Sequence, residues 1–221
     1  MTSSSATPIS IVVLISGSGT NLQAIIDAIE AGSINARIAM VISNRPNAKG
    51  LERASSHGIP TQVIDHTHFA DREQFDAAVQ SAIEVHHPRL VVLAGFMRIL
   101  TDAFVNHFTG RLVNIHPSLL PKYKGLNTHA RAIEAGEAEH GCSVHFVTPE
   151  LDAGAVIGQA RVAIAADETP ESLAAKVQKL EHKLYPACVG LFCNGDLQLQ
   201  GDVALLNGKP LPATGLDLTE A

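Results

Sequence analysis

The stretch Ile9-Ser-Ile-Val-Val-Leu-Ile-Ser-Gly-Ser-Gly-Thr-Asn21 decides the fold class. Its first eight residues form an apolar, β-branched run, which reads as a strand buried on both faces. The turn Ser16-Gly-Ser-Gly-Thr-Asn21 follows, and then Leu22, Ile25, Ile26 and Ile29 recur at helical spacing, predicting a helix over 21–31. Strand, glycine turn and helix open a parallel α/β unit, and the alternation continues. Strands are expected at 36–43, 61–64, 90–94 and 111–115, and helices at 49–57, 71–85 and 102–108. The fold is therefore expected to be α/β: a Rossmann-like, mostly parallel twisted sheet with helices on both faces and the most apolar strand, 90–94, at its centre. After 115 the pattern changes, with a loop at 117–125 and a helix at 128–136. Strands at 142–148 and 156–164 are expected to pair around the loop 149–154. A long helix opens at Thr169-Pro-Glu-Ser with a capping-type start and runs to about 190, and 202–212 reads as a small hairpin or an irregular segment. The C-terminal part is thus antiparallel strands and a long helix.

A chain of 221 residues is one large domain or two small ones. The expected layout is a flexible lead at 1–8, one domain at 9–212 and a flexible tail at 213–221. Within the domain, 9–115 reads as the nucleotide-binding half and 116–212 as the catalytic half. Sixteen basic against twenty-two acidic residues give a net charge of −6, which argues against a non-specific nucleic-acid binder and leaves room for a local anion pocket. The apolar run at 9–15 is too short to span a membrane. Cys142, Cys188 and Cys193 form no Cys-x-x-Cys pair, so neither a disulfide framework nor a thiolate zinc site is expected. A reducing, cytoplasmic compartment is the simplest expectation. His66-x-His68 and His86-His87 read as surface histidines, and no metal is expected.

Three segments carry chemistry. The first is the turn Ser16–Asn21, whose small residues precede a helix N-terminus that offers N–H groups to a phosphate or another oxyanion. It lacks the third glycine of the dinucleotide fingerprint and the lysine of a P-loop. The same residues also suit a tight turn whose helix is capped by Thr20 or Asn21. The second is Asn114-Ile-His-Pro-Ser-Leu-Leu-Pro121, where Asn114 and His116 lie two apart at a strand end and share a face. An amide donor beside an imidazole stabilises a developing oxyanion. The third is Pro149-Glu-Leu-Asp-Ala-Gly154, in which Asp152 is either ordinary turn chemistry or a proton relay to an imidazole, in the company of Ser143 and His145.

Together with Leu93-Ala-Gly-Phe-Met-Arg-Ile-Leu100 and Glu139-His-Gly-Cys-Ser-Val-His-Phe-Val147, these segments resemble the folate-dependent formyltransferases, and among them the phosphoribosylglycinamide formyltransferases, over nearly the whole chain. The resemblance implies transfer of the formyl group of 10-formyltetrahydrofolate to the amine of glycinamide ribonucleotide, in purine biosynthesis. It implies Asn114, His116 and Asp152 as catalytic residues. Gly19, Thr20, Asn21 and Glu181 are implied for the nucleotide; Arg72, Met97, Arg98, Ile99, Leu100 and Asn114 for the folate. For Glu181 and Arg72 a solvated helix charge is the competing reading.

The loop Tyr123-Lys-Gly-Leu-Asn-Thr-His129 departs from the related pattern: Asn127 replaces a histidine, Lys124 a proline, and Ala153 stands where glycine is common. Competing functions are a formyltetrahydrofolate hydrolase or another formyltransferase, expected to carry further domains, and a nucleotide-binding module without chemistry. The expected partners are the two small substrates, with the chain a monomer or homodimer and neither nucleic acid nor membrane involved.

Overall fold

The structure is a computed structural model that describes residues 7–219. Most of the expected lead, and residues 220 and 221 of the expected tail, lie outside the described residues. In chain order the elements are β1 (Ile9–Ile15), α1 (Thr20–Glu30), β2 (Ala36–Ser43), α2 (Lys49–Ser56), β3 (Thr61–Val63), α3 (Arg72–Glu84), β4 (Leu90–Leu93), α4 (Asp102–His107) and β5 (Leu112–His116). There follow α5 (Thr128–Glu134), β6 (Glu139–Phe146), β7 (Val156–Ala163), α6 (Pro170–Cys193), β8 (Leu197–Gln200), β9 (Val203–Leu206), β10 (Lys209–Pro210) and β11 (Leu216–Asp217).

Eight strands form one sheet in the order β11-β7-β6-β5-β4-β1-β2-β3. All neighbours from β5 to β3 are parallel, and β6 runs antiparallel to both β5 and β7. The apolar strand expected at the centre is β4, between β5 and β1. From β1 the chain winds through β2 and β3 to one side, then returns to β4 on the other. That reversal makes the β1/β4 boundary the switch point, outside whose carboxyl ends an open α/β sheet binds its ligands.

Alternation along the strands explains the two faces. Ile11, Val13 and Ile15 of β1, Val92 of β4, and Val113 and Ile115 of β5 pack with Leu22, Ile25 and Ile26 of α1 and Leu184 and Tyr185 of α6. Val12, Leu14, Val91, Leu93 and Leu112 face the other way, onto Phe75 and Val79 of α3 and Phe104 of α4. The buried Tyr185 hydroxyl donates towards the carbonyls of Leu93 (2.9 Å) and Val113 (3.1 Å), tying α6 to the sheet centre. Helix α6 opens with the expected capping box, Thr169 with Ser172. The three cysteines are free and buried, and burial raises all three thiols, Cys193 to about 11. They are packing residues.

Three expectations need correction. The N-cap of α1 is Gly19, at φ 69° and with no side-chain cap, rather than Thr20 or Asn21. A Cβ on Gly19 would lie 2.5 Å from Gly50 Cα, so its missing side chain lets α2 approach as well as freeing the backbone. Residues 213–219 are not a free tail: Leu216 and Asp217 pair in parallel with Gly158 and Gln159, and Leu218 N donates to Gln159 O (2.8 Å). An edge strand of two residues leaves little periodicity to read. The C-terminal hairpin is also a three-stranded sheet, because the alternating run Leu197-Gln-Leu-Gln200 adds a strand to β9 on the side away from β10.

Candidate active site

On β5 the odd residues Val113 and Ile115 enter the core, so Asn114 and His116 project to the opposite face near the carboxyl end of the sheet. No β-strand continues there, because Pro117 has no N–H to donate. The loop beyond it is fastened from beneath. Ser143 Oγ donates to Ser118 O (2.7 Å) and accepts from Leu120 N (3.0 Å), and Gln159 Nε2 donates to Leu120 O (2.8 Å).

Across the antiparallel ladder Asn114 faces His145 and His116 faces Ser143. The loop between β6 and β7 then folds over this end of the sheet and delivers Asp152, whose backbone is left-handed at φ 49°. Gly154 makes that fold possible, since a Cβ there would lie 1.8 Å from Phe146 O. The Asp152 carboxylate, 8 % exposed, sits between two imidazoles. Oδ2 is 3.4 Å from His116 Nδ1, and Oδ1 is 3.7 Å from His145 Nε2. Gly125 N donates to Oδ2 (2.9 Å), and Lys124 Nζ pairs with Glu150 (2.9 Å), which stitches the two loops together.

Hydrogen-bond bookkeeping assigns the protons. His116 Nε2 is 2.9 Å from Tyr123 O, an acceptor only, and Nδ1 faces the carboxylate, also an acceptor. A ring carrying both N–H bonds satisfies both. His145 Nδ1 lies 2.9 Å from Phe146 O and so donates, leaving Nε2 as acceptor for Asn114 Nδ2 at 3.3 Å. His145 is 2 % exposed, and burial pushes its pKa down to about 4, so it stays neutral. Both His116 ring nitrogens thus face acceptors, whereas His145 donates through one nitrogen and accepts through the other.

A second group of expected residues meets at the switch point. Asn21 Nδ2 donates to Glu181 Oε2 (2.9 Å), bringing the glycine turn and α6 together. Burial raises the Glu181 pKa, so this carboxyl is no solvated helix charge. Asn21 Oδ1 is buried without a hydrogen-bond partner among the described residues. Gly17 has open space around it, and no side chain caps α1 behind it. The turn can therefore take an anion on its free N–H groups.

The third group lies beside β4. Met97 and Ile99 are 59 % and 63 % exposed, Leu100 is buried, and the Arg98 guanidinium stands 5.9 Å from the Phe75 ring centroid. Two large apolar side chains are thus left in water beyond the end of β4, where an apolar ligand could cover them. Asp76, buried on α3, accepts from Thr101 N (2.6 Å) and so holds the end of this segment. Arg72 is exposed at the start of α3, and its charge acts on Asp76 without joining the other groups. Among the described residues no cluster of His, Cys, Asp and Glu could hold a metal. His145 was absent from the expected catalytic set, although the alternation Ser143, His145 in an apolar strand was its signal. His66, expected at the surface, is half-buried, with Nδ1 3.0 Å from Asn44 O.

A glycine turn before a helix, an exposed apolar segment after β4 and an amide–imidazole–carboxylate group, all beyond the carboxyl ends of strands in a parallel sheet, are the outline of a group-transfer enzyme. The chain belongs to the formyl transferase family, whose pattern matches residues 9–189. Within it the chain stands with the phosphoribosylglycinamide formyltransferases. It is 51 % identical over 205 residues to that enzyme of Escherichia coli K12, covering 93 % of this chain and 97 % of the relative. The Haemophilus influenzae enzyme is 48 % identical with the same coverage. The solved structure of the Coxiella burnetii phosphoribosylglycinamide formyltransferase superposes with a TM-score of 0.92 at 53 % identity, covering 95 % of this chain and 99 % of that one.

Proposed function

We propose that the chain transfers the formyl group of 10-formyltetrahydrofolate to the amine of glycinamide ribonucleotide, giving formylglycinamide ribonucleotide and tetrahydrofolate. The observation that carries the reading is the placement of Asp152 between His116 and His145, with Asn114 on the same face.

Gly19, Thr20 and Asn21 hold the substrate phosphate on the first turn of α1, and Glu181 accepts from the ribose hydroxyls beside Asn21. Met97, Ile99 and Leu100 flank the pterin, Arg98 supports that wall from Phe75, and Arg72 meets the anionic end of the folate. The amine attacks the formyl carbon, a C–N bond forms, and the formyl oxygen becomes an oxyanion. Asn114 Nδ2–H and His116 N–H stabilise it; a single donor of this kind is typically worth about 10²–10³ in turnover. A formyl oxygen approaching His116 Nε2 competes with the Tyr123 carbonyl for its proton. Asp152 orients His116 through Nδ1 and, through water, takes the amine proton, which ends on the folate nitrogen as the old C–N bond breaks.

Within the described residues no helix is long and apolar enough to cross a membrane. We also take 9–212 as one domain, since a single sheet runs through both expected halves. The test is to mix purified protein with both substrates and follow tetrahydrofolate release optically. Release that depends on the nucleotide supports the reading. Equal release without it indicates a hydrolase, and ligand binding with no release indicates a module without chemistry.

A further inference from the structure

One buried hydroxyl lies between the two expected substrate loops. Ser16, 4 % exposed, directly follows β1 and opens the glycine turn. Its Oγ donates to Asn44 Oδ1 (2.5 Å) and accepts from Met97 N (2.7 Å). Its own N–H donates to Gly95 O (3.1 Å). The last residues paired between β1 and β4 are Leu14 and Leu93, so Ser16 carries that ladder past the sheet and across the switch point. The chain leaves this junction on one side as Gly17–Asn21 and on the other as Met97–Leu100. Asn44, 1 % exposed at the end of β2, completes it, with Nδ2 3.3 Å from His66 Nδ1. The hydroxyl's donor and one lone pair are used inside the protein and the side chain is buried, so Ser16 acts on substrates through its neighbours.

We infer that Ser16, braced by Asn44, is a positioning residue: its hydroxyl sets the distance between the nucleotide turn and the pterin wall, and so the approach of amine to formyl carbon. The inference rests on the formyl-transfer reading and adds residues that the catalytic group does not touch. The two substrates come from opposite sides of one hydrogen bond. Loosening it leaves each platform intact but misregistered, and misplacement by about 1 Å can cost on the order of 10²-fold in rate.

The test measures kcat, both KM values and Tm for the full chain and for Ser16→Ala, Asn44→Leu and the double variant. Expected is a kcat about 10- to 100-fold lower in Ser16→Ala, with both KM values within about threefold of the parent. Asn44→Leu should lose a similar amount, and the double variant no more than the larger single loss, because one junction is broken either way. A lowered Tm with parental kcat well below melting overturns the inference and leaves a structural bond. A loss confined to one substrate's KM, or additive losses, overturns it too. Ser16→Cys, close in volume and a poor acceptor, reads the same bond if Ser16→Ala does not fold; parental kcat in it is equally fatal. No transfer by the unaltered protein removes the formyl-transfer reading and this inference together, whereas transfer with parental kcat in the variants removes this inference alone.

Discussion

Asn114 and His145 stand opposite each other in the β5–β6 ladder, and the Asn114 amide nitrogen lies 3.3 Å from His145 Nε2. Because His145 spends its Nδ1–H on Phe146 O, Nε2 can only accept, and this fixes the nitrogen end of the Asn114 amide towards β6. His145→Leu, which deletes the acceptor, should lower kcat about tenfold or more and change neither KM by more than about threefold. Steady-state kinetics with each substrate varied in turn will check this. A parental kcat would show that the Asn114 amide needs no brace.

His116→Ala and Asp152→Asn should each reduce turnover by on the order of 10²–10³, with far smaller effects on substrate affinity. The two groups act as a unit, so the double variant should lose much less than the product of the single losses. Affinity losses with intact turnover would instead make them binding residues.

Acid should destabilise the protein through buried histidines. Burial pushes His145 and His140 each down to about 4, and His129, 3.1 Å from His140, is lowered as well. A depressed histidine means that the unfolded chain, titrating near 6.5, takes up its proton first. The stability concerned is complete above about pH 6.5 and is lost as pH falls towards 4. Urea midpoints across this window should fall steadily, and less so in His140→Gln. A flat profile would place these rings in contact with solvent.

Gly19→Ala should be costly and Gly17→Ala mild. The first forces a Cβ to within 2.5 Å of Gly50 Cα at a backbone φ of 69°, while the second meets nothing within 4 Å. Gly19→Ala should lower stability by more than about 1 kcal/mol and raise the nucleotide KM, since the turn must shift. Thermal melts of the two variants, followed by nucleotide titration, will separate them. Equal melting temperatures would show that the α1–α2 contact yields freely.

Most elements were legible in local pattern. Apolar runs such as 9–15 and 90–94 marked buried parallel strands, the spacing of Leu22, Ile25 and Ile26 marked the α1 stripe, and Thr169 with Ser172 marked the start of α6. The strand Leu216–Asp217 was not legible, because two residues have no period, and the sheet edge of β7 determines their conformation. The helix cap was misplaced because Thr20 and Asn21 have capping side chains, yet Gly19 alone can take the left-handed turn against Gly50.

Sequence by itself determined the fold class, the strand-end placement of Asn114 and His116 on one face, and a turn able to receive an anion, for these follow from period, spacing and residue type along a few consecutive residues. Only the tertiary structure decided that Asp152 reaches His116, that His145 stays neutral beside Asn114, that Glu181 is half-buried and bonded to Asn21, and that Ser16 joins two loops. Those facts depend on strand order, register and burial. Residues 31 to 160 positions apart meet, Asn114 with His145 because β6 pairs antiparallel with β5 and Asn21 with Glu181 because α6 packs beside α1, and a charge state follows from how much water the packed loops exclude.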